Sequence, residues 1–176
     1  MGSCADLQYP KETELLAEQV GEEVAKAGAT LFFGAEKDFD SLSSAACRGA
    51  RRFGGLVIGV TYGAGIDSVV EKQADAIIAT GMGRGGGREF VLVSSCDAII
   101  TIGGGSGTLT EIAVAYQANI PIVALAGTGG WSERLQNTFL DERNRVRIVG
   151  ATIPQEAVKI AFTAIEKKNL HTPDPL

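Results

Sequence analysis

The sequence predicts a parallel, doubly wound α/β sheet with helices on both faces, and three features lead there. Apolar runs of four or five residues, the length of buried strands, alternate with stretches of helical periodicity, and right-handed crossovers then put helices on both sides of a parallel sheet. Glycine-rich loops at residues 81–87 and 103–107 each follow such a run, at the strand ends where ligands of these sheets bind. The 176 residues suit a single domain, 1–176 with a tail at 170–176, because no repeat, low-complexity segment or linker divides them.

Residues 10–27 place Leu15, Leu16, Val20, Val24 and Ala27 at helical spacing opposite Glu14, Glu18, Glu22, Glu23 and Lys26, and Gly28 ends that amphipathic helix. Residues 30–34 read as a strand, 36–40 as a polar loop, the alanine-rich 41–53 as a helix, and 56–60 as a buried strand. A helical turn near 66–72 precedes a strand at 75–79, and a short helix over 88–95 leads into the strand 98–102. The next helix carries Leu109, Ile112, Ala113 and Tyr116 on one face and stops near Asn119, before Pro121 and the strand 122–125. Gly129-Gly130 then leads into a helix with Trp131, Leu135 and Phe139 at four-residue spacing, and residues 145–149 form a final strand. Thr152-x-x-Gln155, with Pro154 in the first turn, opens a last helix along Val158, Phe162 and Ile165.

Composition removes several classes of function. A net charge of −5 gives no whole-chain attraction for nucleic acid or an anionic membrane, so an anion site is a local feature. No apolar run approaches the ~20 residues of a membrane span, and the amino terminus lacks a basic n-region and an h-region, so a cytoplasmic protein is expected. Cys4, Cys47 and Cys96 are odd in number, widely spaced and without a C-x-x-C pair; they read as small buried hydrophobes. His171, in the tail, is the only histidine, which removes Ser-His-Asp and Cys-His catalysis and multi-histidine metal sites. No cofactor is expected.

The chemistry concentrates in Thr101-Ile-Gly-Gly-Gly-Ser-Gly-Thr-Leu-Thr-Glu111, where a strand hands over to a helix. Gly103, Gly104, Gly105, Ser106, Gly107 and Thr108 expose backbone N–H groups at the positive end of a helix dipole, a seat for phosphate. The loop is not the G-x-G-x-x-G dinucleotide fingerprint, since residues 122–125 stand where the ribose-binding acid is required and are all apolar. A G-x-x-x-x-G-K-[ST] loop is also missing. Glu111 has two readings: Thr108-Leu-Thr-Glu111 fits a capping box, or the carboxylate acts on water or on a cationic transition state beside the phosphate. Arg88 stands at a helix start, where the dipole opposes a cation. Either a ligand phosphate or Glu111 is its partner, or it is a solvated surface arginine. Arg84, inside the glycine loop, is equally available to phosphate. Trp131 either covers a planar base or packs into the core.

At Gly103-Gly-Gly-Ser-Gly-Thr-x-x-Glu111, preceded by Arg88-Glu89, the chain resembles the LOG family, within the Rossmann-like SLOG group and often labelled "possible lysine decarboxylase". The similarity runs from Gly2-Ser3 through Ala46-Cys-Arg-Gly-Ala50 to Gly129-Gly-Trp131, and P-G-G-x-G-T-x-x-E is its specific part. The resemblance implies a Rossmann-like fold and hydrolysis of the N-glycosidic bond of a nucleoside 5′-monophosphate, giving free base and ribose 5-phosphate. It assigns phosphate binding to Gly104, Gly105, Gly107 and Thr108, and catalysis to Arg88 and Glu111; Ser3, Arg84, Gly103 and Ser106 join the candidate phosphate- or nucleotide-binding residues. It also implies a homodimer or homotetramer. Nothing in the sequence supports decarboxylation.

Gly103 replaces the enzymes' proline, and residues 82–89 replace their M-H-x-R-K. These departures resemble the branch that includes a molybdenum cofactor carrier, which implies the alternative: a protein that holds a nucleotide or phosphorylated pterin unchanged. The chain also starts at Met1-Gly-Ser3, with no hydrophobic first strand before it. The expectation is that the native product is longer or that another segment takes the central place, and that an empty place weakens the fold.

Overall fold

Among the described residues the six strands pair in parallel throughout. The computed structural model describes residues 1–2, 8–35, 40–64, 74–83 and 87–171. Among them β1 (Leu31–Gly34), β2 (Val57–Thr61) and β3 (Ala76–Ala79) form one half-sheet in that order. A second half-sheet is formed by β4 (Ile99–Ile102), β5 (Ile122–Leu125) and β6 (Ile148–Ala151). The helices are α1 (Lys11–Lys26), α2 (Leu42–Arg52), α3 (Arg88–Ser94), α4 (Ser106–Gln117), α5 (Gly130–Leu135) and α6 (Pro154–His171). This is the Rossmann-like, doubly wound arrangement expected. The helical turn near 66–72, Ser3 and Arg84 lie outside the described residues.

β5 shows why its run holds no polar residue. Ile122 and Ala124 enter one core with Ile112, Ala115 and Tyr116 of α4, while Val123 and Leu125 enter the opposite core with Ala17 and Val20 of α1 and Ala157 and Ala161 of α6. Alternate side chains face opposite sides of a strand, so a strand covered on both faces is apolar throughout.

Local signals set most boundaries. Ser41 caps α2, its hydroxyl accepting from Ser44 N at 3.1 Å. Gly28, at φ 73°, ends α1, and Asn119, at φ 53°, lies just past the end of α4. α1 buries only part of the face its apolar spacing suggests: Val20 is buried and Leu16 and Val24 pack against the core, but Leu15 is 51% exposed, and Thr13, Ala17 and Gly21 are buried as well. Contact with α2 decides this. A Cβ on Gly21 would lie 1.8 Å from Ala46 O, and one on Gly49 would lie 1.9 Å from Glu18 O, so the helices touch backbone to backbone.

Three further expectations are corrected. α5 stops at Leu135, and Phe139 instead bridges Arg147 in an antiparallel pair, 42% exposed. The final strand starts three residues later and ends two later than 145–149, because Ile148, not Val146, is the side chain fully buried against β5. Pro154 does begin α6, but Glu156 rather than Gln155 reaches back, accepting from Thr152 N at 2.7 Å and Thr152 Oγ1 at 3.0 Å.

Between β1 and β4 the half-sheets share no described pairing, and a cavity of about 500 Å³ lies there, lined mainly by apolar side chains such as Val20, Phe33, Leu42, Ile100 and Phe162. Met1 and Gly2 lie along β4. The Met1 amine donates to Ile100 O at 2.9 Å, Ile102 N donates to Met1 O at 3.0 Å, and Gly2 makes a parallel bridge with Ile102. The place of a first strand thus carries one bridge among the described residues.

Cys47 and Cys96 are thiols, and burial pushes both up to about 11, which keeps them protonated and weakly nucleophilic near neutrality. Cys4 lies outside the described residues. Among those described, no helix is long and apolar enough to cross a membrane.

Candidate functional site

The glycine-rich turn begins where β4 ends. Gly103 and Gly104 have φ values of 61° and 100°, a region open to glycine, and a Cβ on Gly104 would sit 2.5 Å from the Thr108 side chain. The turn is tied down on its carbonyl side. Gly103 O accepts from Ser132 N at 2.9 Å and Gly104 O from Trp131 N at 3.1 Å. Gly103 N donates to Thr128 Oγ1 at 2.9 Å, and that hydroxyl donates to Leu125 O at 2.6 Å. Gly130 packs so closely that a Cβ there would meet Gly104 O at 2.4 Å.

The other side of the turn is the start of α4. Gly105 is its N-cap and offers no side-chain cap, so the first-turn N–H groups keep their capacity for an anion. Ser106 and Gly107 are exposed, while Thr108 is buried. Gly107 needs neither positive φ nor room for a neighbour, since a Cβ on it would meet nothing within 4 Å. Open space beside an uncapped helix start is what a bound phosphate requires.

The capping-box reading of Glu111 is overturned. α4 starts at Ser106, not after Thr108, so Glu111 is the sixth residue of the helix, too far in to cap it, and is only 6% exposed. A carboxylate that far inside the fold needs a polar or charged setting. Arg88 belongs to that setting, because α3 packs on α4 and Glu111 is among the charges that stabilise the Arg88 guanidinium.

Arg88 is not a surface residue. It opens α3 behind Gly87, at φ 110°, and its side chain is 7% exposed. The guanidinium carbon lies 4.2 Å from the centroid of the Tyr62 ring. Nη2 donates to Tyr62 Oη at 2.7 Å, and Tyr62 Oη donates to Glu89 Oε1 at 2.5 Å, while Glu89 itself stands 3.7 Å from Nη2. Burial works to lower the Arg88 pKa, but the Tyr62 hydrogen bond and the nearby Glu111 and Glu89 carboxylates outweigh it and hold the group above its ordinary value. Two buried carboxylates, Glu89 and Glu111, thus stand near one buried cation.

Of the sequence candidates, the structure therefore brings Gly103–Thr108 together at the end of β4 and couples Arg88 to Glu111. The described part of the 81–87 loop lies beyond β3, two strands from β1, and Arg88 instead reaches the ends of β1 and β2. Trp131 is partly buried against the α4 core with Arg134 over its ring at 5.0 Å, in agreement with packing rather than an open base platform. Tyr62, Glu89, Gly34, Thr128 and Gly130 complete the site without having been expected there.

A Rossmann-like α/β protein with a glycine-rich turn between a parallel strand and a helix is the class that this fold and site define. The chain belongs to the SLOG cluster 4 family, whose model matches residues 1–158. Its fold is similar to that of TM1055, a structural genomics target, at 29% identity and a TM-score of 0.81 over 93% of this chain and 96% of that one. It is also similar to the molybdenum cofactor binding protein of Rippkaea orientalis, at 27% identity and a TM-score of 0.77 over 94% of each chain. The molybdenum cofactor carrier protein of Chlamydomonas reinhardtii matches at 25% identity and a TM-score of 0.78, over 94% of this chain and 96% of that one. No curated protein gives a significant match.

Proposed function

We propose that this chain binds a small phosphorylated ligand, a nucleotide or a phosphorylated pterin, and holds it unchanged. The observation that carries the reading is the start of α4, without a side-chain cap and with open space at Gly107, on the helix whose Glu111 stabilises the buried Arg88. The similarity to proteins named for binding or carrying the molybdenum cofactor supports it and favours the pterin. The phosphate sits on the N–H groups of Gly104 to Thr108, Arg88 orients it, and the ring system extends outward past Ser106 and Gly107. A homodimer or homotetramer remains the expected assembly.

A second reading is favoured by one observation, the buried Glu111 carboxylate coupled to Arg88. Beside a ribose phosphate, that carboxylate would stabilise an oxocarbenium-like centre or position water, and the product would be free base and ribose 5-phosphate. Incubation with a panel of nucleoside 5′-monophosphates, read as free base released, separates the two. The binding reading expects no release by the wild type or by Glu111→Gln. Release by the wild type that falls at least ~100-fold in a folded, ligand-binding Glu111→Gln variant would establish the hydrolase instead.

A further inference from the structure

We propose that Tyr62 is the positioning residue that orients Arg88 toward an anionic ligand; this rests on the binding reading of the site above. The hydroxyl has one proton, and it is given to Glu89 Oε1 at 2.5 Å, so the oxygen's lone pair is what Arg88 Nη2 meets at 2.7 Å. The hydroxyl thereby stands between an arginine and a glutamate that are adjacent in sequence and 3.7 Å apart. Beneath, the Tyr62 ring supports the guanidinium face at 4.2 Å. On another side Gly34 makes the room: a Cβ there would lie 2.0 Å from Arg88 Nη1. Three chain segments, at the ends of β1 and β2 and the start of α3, thus fix one side chain that otherwise has many rotamers.

Fixing it has two effects on binding. The ordering cost of a long side chain is met in the fold and not on ligand capture. Glu89 is also held off the guanidinium by the intervening hydroxyl, so it competes less with an incoming phosphate. Phenylalanine at 62 keeps the ring and removes the spacer, and Glu89 then closes onto Arg88 as a direct pair. Leucine removes ring and spacer together.

The test uses AMP affinity together with the Arg88 15Nε–1Hε resonance, assigned by its loss in Arg88→Lys. Tyr62→Phe is expected to shift that resonance and weaken AMP binding about tenfold, and Tyr62→Phe/Glu89→Gln to recover most of the loss. Tyr62→Leu is expected to speed Hε exchange with solvent at least tenfold. An Arg88 resonance unchanged in both Tyr62 variants, or a Tyr62→Phe defect that Glu89→Gln does not relieve, overturns the positioning role. If the wild type does not bind AMP, the Arg88 resonance still decides the positioning role, and only the nucleotide half of the binding reading fails.

Discussion

Gly130→Ala is expected to abolish ligand binding and to lower the melting temperature by roughly 6–12 °C, on a scale of about 2–4 °C per kcal/mol for a chain of this size. Two costs add. Gly130 has φ 59°, where an L residue loses about 1–2 kcal/mol. Its new Cβ would also lie 2.4 Å from Gly104 O and 2.6 Å from Gly103 C, atoms of the anion turn's own backbone, which cannot swing aside as a side-chain tip does. Separating them breaks the bonds from Ser132 N and Trp131 N that hold the turn, so the amides at the start of α4 lose their alignment. Gly127→Ala is the control. Gly127 has φ 72°, yet a Cβ there meets nothing within 4 Å, so it should lose only ~1 kcal/mol and keep its affinity. Calorimetric unfolding and AMP titration of the two variants check both statements.

Gly21→Val is expected to destabilise the fold by about 3 kcal/mol or more, while leaving the site intact in the molecules that remain folded. In an exposed helix the loss of glycine is favourable by up to about 1 kcal/mol. Here the sign reverses, because the Cβ would enter the backbone of α2 at Ala46 and force α1 outward. Gly49→Ala makes the reciprocal intrusion at Glu18 O, and the two together should cost less than their sum, since either one already parts the helices. Urea denaturation of the single and double variants gives the comparison.

These effects show what was legible in the sequence. Strands were, because a strand covered on both faces must be apolar along its length, as β5 is. The strand-to-helix turn was, because the glycines from Gly103 to Gly107 interrupt the pattern where β4 hands over to α4, and Gly107 has no internal reason to be one. Arg88 was visible as a cation placed against a helix dipole, an arrangement that calls for a compensating partner.

What escaped depends on contacts between distant segments. Gly34 looked like the end of a strand, yet its role is to admit Arg88, 54 residues on, and Tyr62 meets the same arginine across 26 residues. Neither carries a local signature. Glu111 illustrates the opposite error: Thr108-x-x-Glu111 has the residues of a capping box, but pattern alone does not say where a helix starts, and Gly105 starts this one early. The buried face of α1 was right at Val20, Leu16 and Val24 but wrong at Leu15, which looks like core by hydropathy, while the close approach of Gly21 to α2 fixes the rotation.

The central claim is that the start of α4 seats the ligand's phosphate. Titrating the 15N-labelled protein with AMP and then with a phosphorylated pterin tests it directly, through the amide resonances of Gly104, Gly105, Ser106, Gly107 and Thr108. The account predicts saturable shifts at these five amides with either ligand, larger than at any other cluster of residues, and their loss when the phosphate is removed to give adenosine or the free pterin. Saturable binding that leaves these amides unmoved, or that is equally tight without the phosphate, would contradict it.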